Sequence, residues 1–113
     1  MALFTALSLS LKTRAQGCLC TSQWPTTAVT PTTTWGTIST TMWAGDYAVV
    51  NVVAGNTYEF STCSSNGSNV TYDSELTLLT NAQQFLAYND DFCGTQSFLS
   101  WTATYTGTVQ IHL

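Results

Sequence analysis

Four oxygen-bearing side chains stand close to predicted turns of this 113-residue chain and could bind a metal ion. Asp73 precedes one apolar run, and Asn89, Asp90 and Asp91 follow another. Calcium takes about six to eight oxygen ligands, mostly from carboxylates and carbonyl groups. Clustered carboxylates repel one another, and no Lys or Arg follows Arg14 to neutralise them. These residues predict a calcium site; the alternative is that they cap backbone N–H groups in turns without a metal.

The four cysteines suggest a second kind of chemistry. In an exported domain they indicate disulfides, and the absence of a CxxC spacing argues against zinc. We expect Cys63 to pair with Cys93, a bridge that would stabilise the fold by about 3–4 kcal/mol on chain-entropy grounds. Cys18 and Cys20 then remain near the mature N-terminus, where they can pair with each other, with another chain or with a missing segment.

Two of the four tryptophans are candidate ligand-binding residues. Trp24 lies in a segment rich in Thr and Pro, and Trp43 lies in a loop before Gly45. Exposed amphipathic rings make flat contacts with sugars or partner proteins. The alternative is that both rings cover the open ends of a sandwich. Trp101 alternates with small and apolar neighbours and is expected in the core.

No pattern in the sequence indicates a catalytic centre. His112 alternates with apolar neighbours on the last predicted strand and is expected to face solvent, whereas a Ser–His–Asp triad needs a buried histidine. Neither a Gly-rich phosphate loop nor an HExxH motif occurs. Asp90 and Asp91 are adjacent and are expected to point apart, unlike the paired carboxylates of a glycosidase. The sequence therefore predicts a protein that is not an enzyme.

The charge composition argues against nucleic-acid binding. Charged residues make up 7% of the chain, and its two cations, Lys12 and Arg14, both precede all six acidic residues. A phosphate backbone would be repelled by that distribution. Hydrophobic residues at 44% provide for a packed core, and the length fits a single folded domain.

The N-terminal residues predict export. Residues 2–11 are apolar but too few to span a bilayer, which needs about 20 residues. Thr13 and Ala15 place small residues at the −3 and −1 positions of a cleavage site, so we predict a signal peptide over 1–15. The alternative is an apolar first strand. The expected location is secreted or extracellular, or attached to the cell surface, with no membrane span.

The sequence after the predicted signal peptide indicates β-strands. Residues 16–34 form a Thr-rich segment with two prolines, typical of an extended sheet edge or a linker. Residues 35–113 alternate between short runs rich in Thr, Val, Tyr and Trp and polar turns, which predicts an antiparallel β-sandwich of seven to eight strands. The predicted strands include 35–41, 46–53, 57–62, 75–79, 84–89, 97–104 and 108–113. The second and third of these are expected to form a hairpin.

The order of these landmarks resembles the bacterial pre-peptidase C-terminal domain. Ala44-Gly45-Asp46-Tyr47 and the run Val53 to Phe60 are similar to its GD and V-x-AG-x-x-Y-x-F core. Residues 72–78 resemble its D-x-x-L-x-L strand, 86–91 its L-A-x-N-D-D turn, and 101–109 its closing pair of strands. The resemblance covers 45–113 and implies a jelly-roll-like sandwich of the type found in secreted and surface proteins of Bacteroidota.

The resemblance also implies an accessory role, since such domains are not catalytic. Some bind protein fibres or polysaccharide, and some hold calcium. Two departures are that residues 21–34 lack the acids from which calcium-binding members draw ligands, and that a Cys63–Cys93 bridge is not general in the family. We therefore expect a binding module that attaches a larger exported protein to polysaccharide, matrix or a cell surface. The alternative is a structural subunit or tandem repeat that assembles through edge strands or through Cys18 and Cys20.

Overall fold

The computed structural model describes residues 19–113, so the predicted signal peptide and Cys18 lie outside the described part. Within residues 19–113 the chain forms seven strands, one 3₁₀ turn and no α-helix. The strands are β1 (Ser22–Gln23), β2 (Asp46–Val52), β3 (Thr57–Ser61), β4 (Glu75–Thr80), β5 (Phe85–Asp90), β6 (Phe98–Thr102) and β7 (Gly107–His112), with the 3₁₀ turn at Ser64–Asn66. The predicted all-β class is confirmed.

The strands form two sheets that pack as a sandwich. One sheet has five strands in the order β1-β2-β7-β4-β5, and the other has β3 and β6. All neighbours are antiparallel except β1, which runs parallel to β2. Val29 makes a further parallel bridge to Val50, so the Thr-rich segment lies along the edge of β2. In the described residues, no helix has the length and apolar character needed to cross a membrane.

The core lies between the sheets and follows the period-two alternation of a strand. The five-stranded sheet contributes apolar side chains from β2, β4 and β7, and the two-stranded sheet contributes Phe60 and Leu99. Trp101 is half-buried and packs against this cluster. The buried members from the larger sheet are Ala48, Val50, Val52, Leu76, Leu78, Val109 and Ile111.

The central strand β7 is buried on both faces. His112 is 1% exposed, so the prediction that it faces solvent is wrong. Its ring stacks on Tyr47 with centroids 5.0 Å apart, and its Nδ1 accepts a hydrogen bond of 2.9 Å from the backbone N–H of Cys20. Alternation places His112 opposite the core side chains, but residues from the N-terminal segment and β2 cover that face as well.

The predicted hairpin of residues 46–53 and 57–62 is wrong, because β2 pairs with β7 while β3 pairs with β6. The connection between the two strands crosses from one sheet to the other. Gly55, with φ +93°, donates its N–H to the Ala103 carbonyl, and Ala103 donates its own to Asn56. These hydrogen bonds join the turn to the end of β6, so they do not close a two-strand ladder.

No strand forms at the predicted run 35–41. Local hydroxyl groups take up hydrogen bonds there: the N–H of Thr41 donates to Ser39 Oγ over 3.1 Å. Side chains of Ser and Thr compete in this way with ladder pairing. Ile38 is half-buried and packs against the core, so residues 35–41 cover part of the sandwich without forming a strand.

Candidate functional site

The loop that follows β5 is joined covalently to the chain after β3. Cys93 in this loop forms a disulfide with Cys63, across a Cα–Cα distance of 6.0 Å, which confirms the predicted pairing. Residues 92 and 93 both donate backbone N–H groups to the Gln96 carbonyl, which closes the loop on itself. We call residues 91–97 the stapled loop.

Three buried hydroxyl residues hold the base of the stapled loop. Thr62 Oγ1 accepts the Ser97 N–H at 2.8 Å and lies 2.7 Å from Ser74 Oγ. Ser97 Oγ donates to the Ser74 carbonyl at 2.5 Å, and the Ser74 N–H donates to the Thr95 carbonyl. Sequence reasoning missed this network, because Thr and Ser in polar runs predict solvated turns.

The structure brings together three of the four predicted calcium ligands. Carboxylate oxygens of Asp73, Asp90 and Asp91 all lie within 4.8 Å of one another, and all three side chains are exposed. Asp73 just precedes β4, and Asp90 ends the neighbouring β5. Asp91 has φ +60°, a left-handed conformation. This cluster contradicts the expectation that Asp90 and Asp91 point apart, which assumed extended backbone at both positions.

Asn89 has a different partner from the three aspartates. Its Oδ1 accepts the backbone N–H of Phe98 at 3.2 Å, which fixes the start of β6 near β5.

The negative charge of Asp90 raises the pKa of Asp91, with further contributions from burial and from Asp73. A divalent cation would relieve this repulsion, so the calcium site stays a prediction with three carboxylates as its ligands.

The stapled loop carries an exposed aromatic side chain. Phe92 is 62% exposed, and its ring lies 5.0 Å from that of Phe98, which in turn lies 6.3 Å from Trp35. We call these three rings the loop patch. The sequence signal was available but overlooked: a large aromatic residue lies in the polar loop between an acidic pair and a cysteine, where little chain is left to cover it.

Trp43 borders a separate shallow cleft. Its side chain is 71% exposed, the highest value among the large hydrophobic residues described. Its backbone N–H donates to Asp46 Oδ2 at 2.9 Å, which fixes the chain at this position. The cleft has a volume of about 200 Å³, and its lining is Thr40, Thr41, Met42, Trp43, Asn69, Val70 and Tyr72. We call it the Trp43 cleft.

Polar groups of the Trp43 cleft can both donate and accept hydrogen bonds. The pKa of Tyr72, ordinarily about 10, is raised by burial and by the charge of Asp46, so the phenol, which is protonated at neutral pH in any case, can donate a hydrogen bond. The Asn69 amide and the Thr hydroxyls add further donors and acceptors. Such groups beside a flat ring suit a ligand that has both hydroxyls and an apolar face.

Trp24, the other predicted ligand-binding tryptophan, does not line this cleft. Its indole N–H lies 3.1 Å from Ser39 Oγ and 3.0 Å from Thr41 Oγ1. The polar edge of Trp24 is therefore used within the protein. Through Thr41, this side chain supports the wall of the cleft while part of its ring stays exposed.

These features define a class: a two-sheet β-sandwich with a disulfide-bound loop and exposed aromatic side chains at irregular segments. Residues 37–113 match the family described as a domain of unknown function, DUF8695, and the chain belongs to that family. No curated protein and no solved structure matches the chain. The family description names no activity, so the resemblance to the pre-peptidase C-terminal domain stays a prediction.

Proposed function

We propose that this domain is a non-catalytic binding module of an exported protein, and that it attaches to extracellular polysaccharide through the Trp43 cleft. The observation that carries this proposal is the 71% exposed ring of Trp43 beside hydroxyl and amide side chains. A sugar ring has an apolar C–H face and a rim of hydroxyls. It can stack on the indole while Asn69, Tyr72 and the threonines bind its hydroxyl groups.

The shape of the Trp43 cleft supports a surface-bound chain as its ligand. Its volume of about 200 Å³ is below the roughly 300–1,000 Å³ of pockets that enclose a small molecule. An open cleft of this size can contact a short part of a polymer while the remaining polymer stays in solvent. Polysaccharide meets that description better than a free metabolite does.

The environment of the chain's single histidine supports a non-catalytic role. Both ring nitrogens of His112 are engaged: Nδ1 by the Cys20 N–H, and Nε2 at 3.1 Å from Gln110 Oε1. Its burial lowers its pKa. A buried imidazole with two internal partners is not available as a general base for a substrate.

The disulfide supports an extracellular location, because such bonds persist in oxidising compartments.

The competing hypothesis, covalent assembly of subunits through Cys20, is weakened by burial of that residue. Its thiol lies 3.5 Å from the Leu113 carbonyl and is not presented to a second chain. Non-reducing gels of the full chain would test it directly, since a disulfide-linked ladder would support assembly.

The proposal is tested by retention on a panel of neutral polysaccharides. The wild-type domain should bind at least one of them, and Trp43→Ala should lower the affinity about tenfold or more, the order expected for losing one stacked ring. Val53→Ala, which truncates an exposed side chain outside the cleft, is the matched control. Absence of binding to every polysaccharide, or unchanged binding by Trp43→Ala, would overturn the proposal.

A further inference from the structure

The loop patch is a second exposed apolar surface, and it shares no residue with the Trp43 cleft. Phe92 is held in place although its own ring is 62% exposed. The disulfide of the next residue and the buried hydroxyls at the loop base hold its backbone. A surface that is already ordered loses little conformational entropy on binding. The stapled loop therefore presents Phe92 as a pre-organised contact.

The geometry of the three rings argues against a sugar as the ligand of the loop patch. The planes of Trp35 and Phe98 meet at 67°, and those of Phe92 and Phe98 at 35°. Rings at these angles do not form one flat platform on which a polysaccharide could lie. They instead present separate ring faces, and a planar cationic group of a side chain can stack on one of these faces.

Acidic residues adjoin the loop patch in the chain and on the outer face of the smaller sheet. Asp90 and Asp91 precede Phe92 in the chain. Phe98 pairs with Ser61 of β3. Glu59 is exposed on the same strand, two residues before Ser61, so alternation places Glu59 on the same outer face as Phe98. Residues 19–113 contain all six acids of the chain and neither of its cations. The charge that complements this surface is positive.

We propose that the loop patch and its bordering carboxylates bind an arginine side chain in an exposed segment of a partner protein. The planar guanidinium can stack on an aromatic face and donate paired hydrogen bonds to a carboxylate, whereas a lysine ammonium is a point charge without that fork. The rings supply the stacking contact, and Asp91, which directly precedes Phe92, supplies the acceptor. This surface recognises protein, while the Trp43 cleft is assigned to polysaccharide.

Fluorescence anisotropy with labelled octa-arginine at low ionic strength tests this proposal. The wild-type domain should bind octa-arginine more tightly than octa-lysine, and octa-citrulline, which lacks the charge, should not bind. Phe92→Ala should weaken binding about fivefold or more. Phe92→Leu should also weaken binding, because leucine keeps the apolar bulk but lacks the π face. Both variants alter an exposed side chain, so the fold should persist.

Asp91→Asn separates a specific contact from attraction to the net charge. Asparagine tolerates the left-handed backbone of this position, so the variant removes charge without strain. Asp46→Asn removes the same charge outside the patch and keeps an oxygen to accept the Trp43 N–H. We expect Asp91→Asn to lower octa-arginine affinity about fivefold and Asp46→Asn no more than about twofold.

Three results would overturn the proposal. Equal losses in Asp91→Asn and Asp46→Asn would show attraction to net charge only, and unchanged binding by Phe92→Ala would exclude the rings. Loss of polysaccharide retention in Phe92→Ala with peptide binding intact would make the patch a sugar site. Because Trp43→Ala and Phe92→Ala change different surfaces, failure of the polysaccharide proposal is distinguishable from failure of this one.

Discussion

The centre of the five-stranded sheet and the stapled loop are ordered by different interactions. Leu78 and Val50 are fully buried between the sheets, and their strands are fixed by apolar packing. The stapled loop buries little of its own apolar surface and is fixed by one covalent bond and three buried hydroxyl residues. The difference shows how a small domain can present an exposed ring in a defined position: the loop's order does not depend on covering Phe92.

The largest effect is expected from shortening a core side chain in the sheet. Leu78→Ala removes a fully buried side chain and should lower the free energy of unfolding by about 2–5 kcal/mol, measured by urea denaturation. Phe92→Ala, the matched truncation in the stapled loop, should change it by no more than about 0.5 kcal/mol. A large loss in Phe92→Ala would mean that the loop does depend on packing of its own ring.

Removal of the disulfide ranks next. The double substitution Cys63→Ser, Cys93→Ser opens a link between residues 30 apart and should cost about 2–4 kcal/mol of unfolding free energy. Hydrogen exchange should rise most in residues 91–97 and least in β2 and β7. Uniform acceleration in all strands would show that the bridge stabilises the whole sandwich and not the loop in particular.

The same difference explains what could be predicted from the sequence. Short apolar runs bounded by polar turns predicted the strands β2, β4 and β7, because the pattern of a strand is local information. The hairpin prediction failed because the partner of a strand is set by long-range packing. Alternation likewise assigned His112 to the face opposite the core but could not show that a second layer covers it.

The candidate sites also divide into features set by local sequence and features set by long-range packing. Asp73, Asp90 and Asp91 were predicted together with Asn89 because the start of one strand and the end of its antiparallel neighbour lie close in space. The conformation of Asp91 was not predictable, since its positive φ depends on the closed loop that follows. The hydroxyl network of Thr62, Ser74 and Ser97 has no periodic signal and required the three-dimensional arrangement. The exposure of Phe92 has no periodic signal either, but its place in a polar loop between an acidic pair and a cysteine indicates it.

Breaking the hydroxyl network should have an intermediate effect. Thr62→Val keeps the shape but removes the acceptor of the buried Ser97 N–H, which should cost about 1–3 kcal/mol. Thr57→Val is the matched control: among residues 19–113 Thr57 Oγ1 bonds to the exposed Thr102 hydroxyl alone, so this substitution should cost less than about 0.5 kcal/mol. Equal thermal midpoints for the two variants would contradict a structural role for the network.

The pH dependence of stability probes the buried face of the sheet. Burial lowers the pKa of His112 in the folded state, so unfolding takes up a proton once the pH falls below the ordinary value of about 6.5. Stability should therefore be full above that pH and decline as the pH falls from about 7 to 5. Protonated Nδ1 can no longer accept the Cys20 N–H. His112→Gln should flatten this decline, and an equally steep decline in that variant would assign the effect to other groups.

The smallest expected effect is that of calcium on the stapled loop. If calcium binds Asp73, Asp90 and Asp91, its addition at ten times the dissociation constant should stabilise the fold by about 1.4 kcal/mol relative to chelator. An Asp73→Asn, Asp91→Asn variant should lose the response, and equal melting midpoints with calcium and with chelator would remove the hypothesis.

Bound calcium would also compete with a guanidinium for the same carboxylates. Calcium should then weaken octa-arginine binding to the wild-type domain beyond the loss caused by an equal ionic strength of NaCl.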